Sequence, residues 1–520
     1  MKSINPTTFL SICFLLSTLS IFGQKSYPVQ CHYTISIPDP ESHTYHVKME
    51  VTGWTEDELT LHLPNWMPGY YQMMDYYKGV KNFKVLSEQS VDDTQPATWI
   101  LTNVQGKTIT LSYDVHTDRK FVANSYVDND RAYIVPVNSF LYIDGKPRVS
   151  IELTIEKSND WSDIATGLQL IFENDKQAVF TSDDLDFFLD APLLMGNLTK
   201  LSNFNIDDIS HRFWGFNMGK FDENKLIGDL HAIVKEATEL IGHIPYKEYT
   251  FIGIGPGRGG IEHLNSTTVS FEGSQLDSRN NYIQMVDFLS HEYFHHYNVK
   301  RIRPFELGPF DYQNGSKTTQ LWISEGLTSY YASLMVKRAG VSTTDEFLKG
   351  ISEVITQFEN GPGKRYQSLI ESSFETWHEG PFGKSGQDPN KSISYYVKGP
   401  IVGLLMDFGI RQATNNEKSL DDVMRVLYHK YYLGLDRGFT DAEFREVCTA
   451  ISGVTLTELF QYVYTAKPLD YDTFLGYAGL QIIKSEVNGD EKPTTMYSVV
   501  PIENPTADQK AILNSWLGEN

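Results

Sequence analysis

The sequence predicts an α+β protein of several domains, with a β-sandwich-like N-terminal domain, a mixed central domain and a helical C-terminal part. Short runs of alternating polar and apolar residues recur between Tyr33 and Gly196 and are typical of strands. From residue 225 onwards, apolar residues instead recur at steps of three and four, as in amphipathic helices. The chain has 520 residues, which is long enough to bury more than one core.

Residues 1–23 have the pattern of a secretion signal. Lys2 gives a positive start, residues 9–22 are mostly apolar, and Gly23 is a small residue at a plausible cleavage point. We therefore expect a secreted or periplasmic protein. The apolar run is short for a membrane span, so we expect no stable membrane insertion, and an uncleaved anchor is the alternative.

The composition argues against some partners and against a disulfide scaffold. The chain carries 44 basic and 66 acidic residues, a formal net charge of −22, which disfavours nucleic acid as a partner. Of its three cysteines, Cys13 lies in the signal, Cys31 in a predicted strand and Cys448 in a predicted core helix. Three cysteines so far apart predict no disulfide framework.

Alternating runs predict the strands of the N-terminal domain, and turns rich in Pro, Asp, Asn and Gly separate them. The clearest runs are residues 33–37, 45–51, 59–63, 108–113 and 149–155. An aromatic segment from Trp66 to Tyr71 comes after the third run. Two interpretations of this segment stay open: a loop that faces a functional site, or a turn inside the core.

The central region alternates helix and strand. A helix is predicted at residues 225–242, and two strands, at 249–254 and 267–271, flank a glycine-rich turn. That turn lacks the Gly-Lys-Ser/Thr ending of a phosphate-binding loop, so we reject that interpretation. Glycines at this place instead allow a strand edge to run close to a ligand backbone.

The segment His291-Glu-Tyr-Phe-His295 carries the clearest chemistry. No Pro or Gly occurs from residue 281 to 300, which favours a helix. Residues four apart lie on one helix face, so both imidazoles can reach one metal ion. Glu292 is placed to take a proton from water, which is the pattern of zinc peptidases. The alternative is a surface helix that happens to carry two histidines.

Glu325 is the candidate third ligand. It lies in a predicted helix at residues 321–336, directly after the apolar residues 321–323, which favours an inward position. Three protein ligands with an open fourth position are typical of catalytic zinc sites. The alternative is an ordinary exposed carboxylate.

Helices dominate the C-terminal part. They are predicted at residues 344–358, 395–410, 419–432, 440–452 and 455–466. The last three each begin at a Ser or Thr that can cap the helix. Residues 359–392 are predicted to form a long, polar, glycine-rich connection.

Five motifs together resemble the glycyl aminopeptidase family of zinc metallopeptidases, gluzincins related to the aminopeptidase N-like enzymes. In chain order they are Leu63-Pro-Asn-Trp-Met-Pro-Gly69, Gly259-Gly-Ile-Glu-His263, His291-Glu-Tyr-Phe-His295, Trp322-Ile-Ser-Glu-Gly326 and Tyr395-Tyr-Val-Lys-Gly399. The resemblance implies a thermolysin-like catalytic domain. Many members also carry a C-terminal PDZ domain, but the residues after Gly479 are too few for one, so we expect a short tail with a helix.

The resemblance and the sequence patterns together divide the chain into five parts. We expect the signal at 1–23, the β-rich domain at 24–203, the catalytic domain at 204–345, a helical domain that completes the site at 346–467 and the tail at 468–520.

The resemblance also implies roles for individual residues. His291, His295 and Glu325 match the ligands of one zinc ion per chain, and Glu292 matches the general base. Tyr396 matches the tyrosine that stabilises the oxyanion, with Tyr395 as the rival assignment. The substrate-binding residues are Glu262, which matches the anchor of the free α-amine, and its neighbours Gly260 and Ile261. The alternative for Glu262 is a structural carboxylate paired with a nearby Arg such as Arg258.

We therefore expect a secreted zinc aminopeptidase that cleaves after an N-terminal Gly or Ala of peptides with a free N-terminus. A zinc-activated water, a Glu base and a Tyr oxyanion donor would carry the reaction. One alternative is an endopeptidase, and another is a non-catalytic surface-binding protein. The intact Glu292 disfavours the latter, because a purely structural zinc site needs no base. The sequence does not predict the oligomeric state.

Overall fold

The computed structural model describes residues 27–117, 119–158, 161–384, 386–488 and 493–519. The predicted secretion signal, residues 1–23, lies outside the described residues. Within them, no helix has both the length and the apolar character needed to cross a membrane.

The described chain begins with strands and ends mainly in helices. The strands are β1 (Gln30–Ser36), β2 (Thr44–Thr52), β3 (Glu58–His62), β4 (Val80–Val85), β5 (Ser90–Asp92), β6 (Thr98–Thr102), β7 (Ile109–His116), β8 (Tyr126–Val127), β9 (Arg131–Ile134), β10 (Tyr142–Ile143), β11 (Arg148–Glu156), β12 (Asp163–Thr166), β13 (Gln169–Glu173), β14 (Gln177–Asp184), β15 (Leu193–Gly196), β16 (Thr199–Lys200), β17 (Phe204–Ile206), β18 (Ile209–Gly215), β19 (Glu248–Gly253), β20 (Gly260–Glu262), β21 (Ser266–Val269), β22 (Leu480–Asn488) and β23 (Pro493–Pro501). The α-helices are α1 (Leu185–Leu189), α2 (Glu223–Ile241), α3 (Arg279–Phe294), α4 (Thr328–Arg338), α5 (Thr344–Asn360), α6 (Leu369–Glu379), α7 (Tyr395–Ala413), α8 (Leu420–Val426), α9 (Asp441–Ser452), α10 (Thr457–Tyr464), α11 (Tyr471–Tyr477) and α12 (Ala507–Leu517).

Three sheets build the N-terminal part. The largest has the strand order β13-β14-β11-β1-β2-β7-β4, and two four-stranded sheets have the orders β10-β3-β6-β5 and β12-β15-β9-β8. Strands β1, β2 and β7 bury every second residue, as expected for a sheet with one face in the core. Buried residues from all three sheets form one core cluster, so the predicted β-rich packing is present.

A second sheet system positions the candidate site. Its strand order is β16-β18-β19-β21-β20, with β17 also paired to β18. Strands β18, β19 and β21 run parallel, while β20 pairs antiparallel with β21 and forms the edge. A Cβ added at Gly260 of β20 would lie 2.6 Å from Cδ of Glu292 on α3, so this edge strand packs directly against the helix of the zinc motif.

The helical part closes around the same site through one close helix crossing. A Cβ added at Gly326 would lie 2.7 Å from Cα of Gly399, and the reciprocal distance is also 2.7 Å. Only glycines allow the two backbones to come this close. The crossing brings the segment with Glu325 against the start of α7, which carries Tyr395 and Tyr396. The architecture thus confirms the α+β multidomain fold class with a helical C-terminal part.

The structure corrects three predictions about helices. Trp322–Leu327, predicted as part of one α-helix, forms a π-helix that leads into α4. The connection predicted at 359–392 contains helix α6. Helix α10 begins after Leu456, a residue in the left-handed region, and not at a Thr cap. In the first case, the structure departs from the α-helix that local propensity favours. π-helical turns are rare in proteins and occur mainly at functional sites.

The C-terminal tail contains more structure than the sequence predicted. After α11 it forms the hairpin β22-β23, whose register runs from Leu480 opposite Pro501. The expected terminal helix is present as α12, and its Trp516 is fully buried. Cys31 lies in β1 and Cys448 is buried in α9, as predicted, and both are free.

The glycine crossing generates a stability prediction. Gly399→Ala should lower the free energy of unfolding by about 1–3 kcal/mol, because the added methyl group meets backbone atoms that cannot move aside easily. Gly228→Ala in α2 is the matched control, since a Cβ there meets nothing within 4 Å. That change should stabilise by about 0.5–1 kcal/mol, because Ala is the better helix former. Denaturant unfolding of both variants measures the difference, and equal effects would contradict the role of the crossing.

Candidate active site

Three predicted ligands converge on one point. His291 Nε2 lies 2.9 Å from His295 Nε2, and Glu325 Oε2 lies 3.7 Å from the former and 3.2 Å from the latter. His291 lies in the last turn of α3, His295 is the C-cap residue of that helix, and Glu325 comes from the π-helix before α4. These three residues form the only group of metal-ligating side chains found among the described residues.

Hydrogen bonds behind the ligands fix their orientation. His295 Nδ1 donates to the carbonyl of Asn298 over 2.8 Å, so its Nε2 presents a lone pair to the site. The side chain of Asn298 donates in turn to the carbonyl of Ile323, 2.8 Å away in the π-helix. Ser329 Oγ donates to the carbonyl of Glu325 and lies 3.4 Å from His291 Nδ1. The ligand set is therefore held from behind on both helices.

The site fits a divalent cation. Glu325 Oε2 is buried and has no hydrogen-bond partner, and it faces the lone pair of His295. Burial acts to raise the pKa of Glu325, but the neighbouring His295 and His291 together hold it below its usual range. Acceptor atoms that converge without a donor are favourable only around a cation, and two His with one carboxylate are a usual catalytic zinc set.

Glu292 is a buried, unpaired carboxylate beside the ligands. Its Oε2 has no hydrogen-bond partner, and its carboxylate packs against Gly260 on the edge strand. Burial raises the pKa of Glu292 well above its usual value, with Glu262 and Glu325 adding to the shift while His295 opposes it. A cation at the adjacent ligands would favour the ionised form and so prepare this group to act as a base.

The structure separates the two tyrosines of α7. Tyr395 is fully buried, and its hydroxyl lies 3.0 Å from Thr376 Oγ1. The ring of Tyr396 lies 6.0 Å from that of His291. Burial and then the nearby Glu325 raise the pKa of Tyr396, so its hydroxyl keeps its proton. Phe382, from the connection before α7, packs against Tyr396 at 5.7 Å between ring centroids.

Glu262 lies at the end of β20, on the other side of the ligands. It is 4% exposed, and its Oε1 has no hydrogen-bond partner. Burial raises its pKa, while Lys300 opposes the shift from 3.8 Å away. Arg258, the structural partner considered from the sequence, is exposed, and Lys300 is the neighbouring cation instead.

Lys300 is held mainly by another acid and leaves Glu262 incompletely neutralised. Its Nζ donates to Asp190 Oδ1 over 2.8 Å, and His263 Nδ1 lies 3.1 Å from the same carboxylate oxygen. Burial acts to lower the pKa of Lys300, but Asp190 and Glu262 raise it overall. Lys300 Nζ also forms an ion pair with Glu262 Oε1 at 3.8 Å, which is too long for a hydrogen bond and leaves that oxygen without a donor.

The other two predicted substrate-binding residues have different surroundings. Gly260 and Ile261 pair with Val269 and Thr268 on β21, which leaves their outer side at the sheet edge. The Ile261 side chain is buried in the N-terminal core cluster. Any contribution of Ile261 to binding is therefore made by its backbone, as in recognition by strand addition.

The aromatic segment after β3, which the sequence left between two interpretations, reaches the site. A Cβ at Gly69 would lie 2.7 Å from Glu262 Oε2, and Gly69 has a φ of +95°. Tyr71 is buried, and its pKa is raised by burial and then by the charges of Glu325 and Glu262. In the sequence, the Pro-Gly pair within this aromatic run indicated a turn, but such a pair does not predict a contact between two domains.

Two family models match the chain. The M61 glycyl aminopeptidase model matches residues 284–402, and the M61 peptidase N-terminal domain model matches residues 32–197. No curated protein matches the sequence.

Solved structures agree with the family match. An aminopeptidase N family protein from Idiomarina loihiensis aligns with a TM-score of 0.82 and 26% identity, over 89% of this chain and 80% of the other. An M1 zinc metallopeptidase from Deinococcus radiodurans shares the fold, with a TM-score of 0.53 and 12% identity over 85% and 94% of the chains. Aminopeptidase A from Legionella pneumophila aligns with a TM-score of 0.51 and 13% identity over 93% and 57%.

Separate regions of the chain match the same family. The N-terminal sheets and the zinc-motif helices match two models of the same family, and the structure brings a His-His-Glu ligand set together in the matched catalytic region. This chain therefore belongs to the M61 glycyl aminopeptidase family and is a zinc metallopeptidase.

Proposed function

We propose that this enzyme is an aminopeptidase that removes an N-terminal Gly or Ala from peptides. The observation that carries the proposal is the buried carboxylate of Glu262, whose Oε1 has no hydrogen-bond partner and which is close enough to His295 and Glu325 to feel their charges. A free α-ammonium group would pair with that oxygen. Such a pair would hold the first peptide bond at the ligands and exclude longer N-terminal extensions.

The proposed reaction uses the metal and this chain's own acids. Zinc, held by His291, His295 and Glu325, would supply a Lewis acid that polarises the scissile carbonyl and lowers the pKa of the attacking water. Glu292 would take a proton from the attacking water and deliver it to the leaving amine. Its burial and its unpaired Oε2 support this role, because a desolvated carboxylate is a stronger base than one in water.

Tyr396 would stabilise the charge that develops on the carbonyl oxygen. Its hydroxyl remains protonated and its ring stands beside His291, whereas the hydroxyl of Tyr395 is engaged with Thr376. A preorganised donor in such a position contributes about 3 kcal/mol to other acyl-transfer reactions.

The preference for small residues is supported by the crowding around Glu262. Gly69 contacts the Glu262 carboxylate from one side, and Tyr71 lies nearby. The ring centroid of Tyr71 is 6.3 Å from that of Trp66 and 6.2 Å from that of Trp377. These neighbours would restrict the space for the side chain of a residue whose amine reaches Glu262. Residues 1–23, outside the described chain, would direct this enzyme to the periplasm or the medium.

Blocking the α-amine tests the proposal directly. Glycyl-p-nitroanilide and its N-acetylated form should differ in kcat/KM by a factor of about 100 or more, because the acetyl group removes the charge that Glu262 binds and adds bulk. A zinc chelator should abolish release from the free-amine substrate, and added zinc should restore it. Release is followed by absorbance.

Two outcomes would contradict the aminopeptidase assignment. Equal cleavage of both substrates would indicate the endopeptidase alternative, in which Glu262 is structural. No cleavage of either substrate by zinc-loaded protein, together with no cleavage of Gly- or Ala-initiated peptides, would favour the binding-protein alternative.

The two tyrosines provide a matched pair of variants. Tyr396→Phe should lower kcat about 100-fold with little change in KM, because the lost hydrogen bond forms only in the transition state. Tyr395→Phe removes a hydroxyl that faces Thr376 and should keep kcat within about threefold of the native value. Glu292→Gln removes the proposed base and gives the reference level of activity without base catalysis, with which the tyrosine variants are compared. Comparable losses in both tyrosine variants would contradict the assignment of Tyr396.

A further inference from the structure

A groove leads away from the site along the N-terminal half of α3. It encloses about 600 Å³ between α3, α4, α5 and α7. Its inner end is lined by Ser329 and Tyr396, which both stand beside His291, and its outer end by Arg279 and Glu346. The groove therefore begins beside His291, where Tyr396 lines its inner end.

The groove lies on the side opposite to Glu262. Glu262 neighbours Lys300 and Asp190, beyond the C-terminal end of α3, whereas the groove runs along α3 towards its N-terminus. If the amine of the substrate is bound at Glu262, the chain after the scissile bond must leave in the other direction. The groove is then the path of that chain.

Asp287 is the acidic group on the groove wall nearest the ligands. It lies one turn before His291 on the same face of α3, an axial distance of about 6 Å. Its Oδ1 accepts a hydrogen bond of 2.6 Å from Ser333 on α4. No Lys, Arg or His pairs with it in the part of the chain that the structure describes. Other charged side chains of the groove form ion pairs with each other: Arg279 pairs with Glu346, and Lys349 pairs with Glu353.

Asp287 is also suited to hold a charge at neutral pH. Burial raises its pKa to about 6, and the hydrogen bond from Ser333 opposes a larger shift. The carboxylate is thus mostly ionised at pH 7, in a half-buried position where a cation would stabilise it more than bulk water does.

We propose that Asp287 binds the side chain of the substrate residue directly after the scissile bond, and that it selects a basic residue there. This role of Asp287 rests on the proposed function, because Glu262 must hold the amine for the groove to receive this residue. A lysine side chain that starts near the ligands reaches a group about 6 Å away along α3. The enzyme would then act on peptides that begin Gly-Lys, Gly-Arg or the corresponding Ala pairs.

The test compares three tripeptides, Gly-Lys-Ala, Gly-norleucyl-Ala and Gly-Glu-Ala, with the native zinc enzyme. The native enzyme should show kcat/KM in the order Lys, norleucine, Glu. In Asp287→Asn the ratio of kcat/KM for the Lys peptide to that for the Glu peptide should fall about tenfold or more, as expected from the loss of a charge-assisted hydrogen bond. Asn still offers an acceptor to Ser333, so the fold is expected to persist.

Asp277→Asn is the matched control. It removes one acidic charge from an exposed position just before α3 and outside the groove, and it should keep the native ratio. No preference for Lys over Glu in the native enzyme would overturn the proposal even if the variant failed to fold. A native ratio retained in Asp287→Asn, or an equal fall in Asp277→Asn, would overturn it as well.

The same assay separates this proposal from the function on which it rests. The norleucyl peptide is also measured with its amine acetylated. If acetylation leaves the rate unchanged, the amine anchor and with it the direction of the groove are wrong. If acetylation abolishes cleavage but the three tripeptides are cleaved equally, only the selectivity of Asp287 is wrong.

Discussion

The stability of the site depends on how several buried carboxylates are accommodated close together. Glu262, Glu292 and Glu325 are all nearly fully buried around the same point, and Lys300, the nearby cation, is held mainly by Asp190. Desolvated carboxylates of like charge repel each other strongly, so a site of this kind is favourable only when cations are brought to it. A divalent metal at the His-His-Glu set and an ammonium group at Glu262 would supply those charges. The same imbalance of charge would thus favour binding of both the cofactor and the substrate.

Local patterns made part of this site predictable. The helix with His291 and His295 is predicted by a spacing of four residues, and the alternating strands are predicted by their period of two. The π-helix around Glu325 was not predictable, because local propensity does not distinguish it from an α-helix and its close contact with Gly399 of α7 joins residues far apart in the sequence. The contact between Gly69 and Glu262 was also not predictable, because the two residues are far apart in the sequence and no local pattern connects them.

The helix of the zinc motif organises binding on both of its sides. Its C-terminal end carries His291, Glu292 and the C-cap residue His295, and the edge strand and the N-terminal aromatic segment pack on the side of Glu262. Its N-terminal half forms one wall of the groove on the opposite side. In the proposed binding mode, contacts from the β-rich part would restrict the substrate residue before the scissile bond, while helices α4, α5 and α7 would surround the residues after it.

A zinc titration of the metal-free enzyme tests the central claim most directly. Calorimetry together with thermal unfolding should give one zinc per chain and a higher unfolding midpoint, because zinc relieves the repulsion among the buried acids. At a free zinc concentration about 100 times Kd, the stabilisation should be about 2.7 kcal/mol. Glu325→Gln should weaken both effects, since it removes one ligand and one charge. Absence of stoichiometric binding, or binding that leaves the midpoint unchanged, would contradict the account.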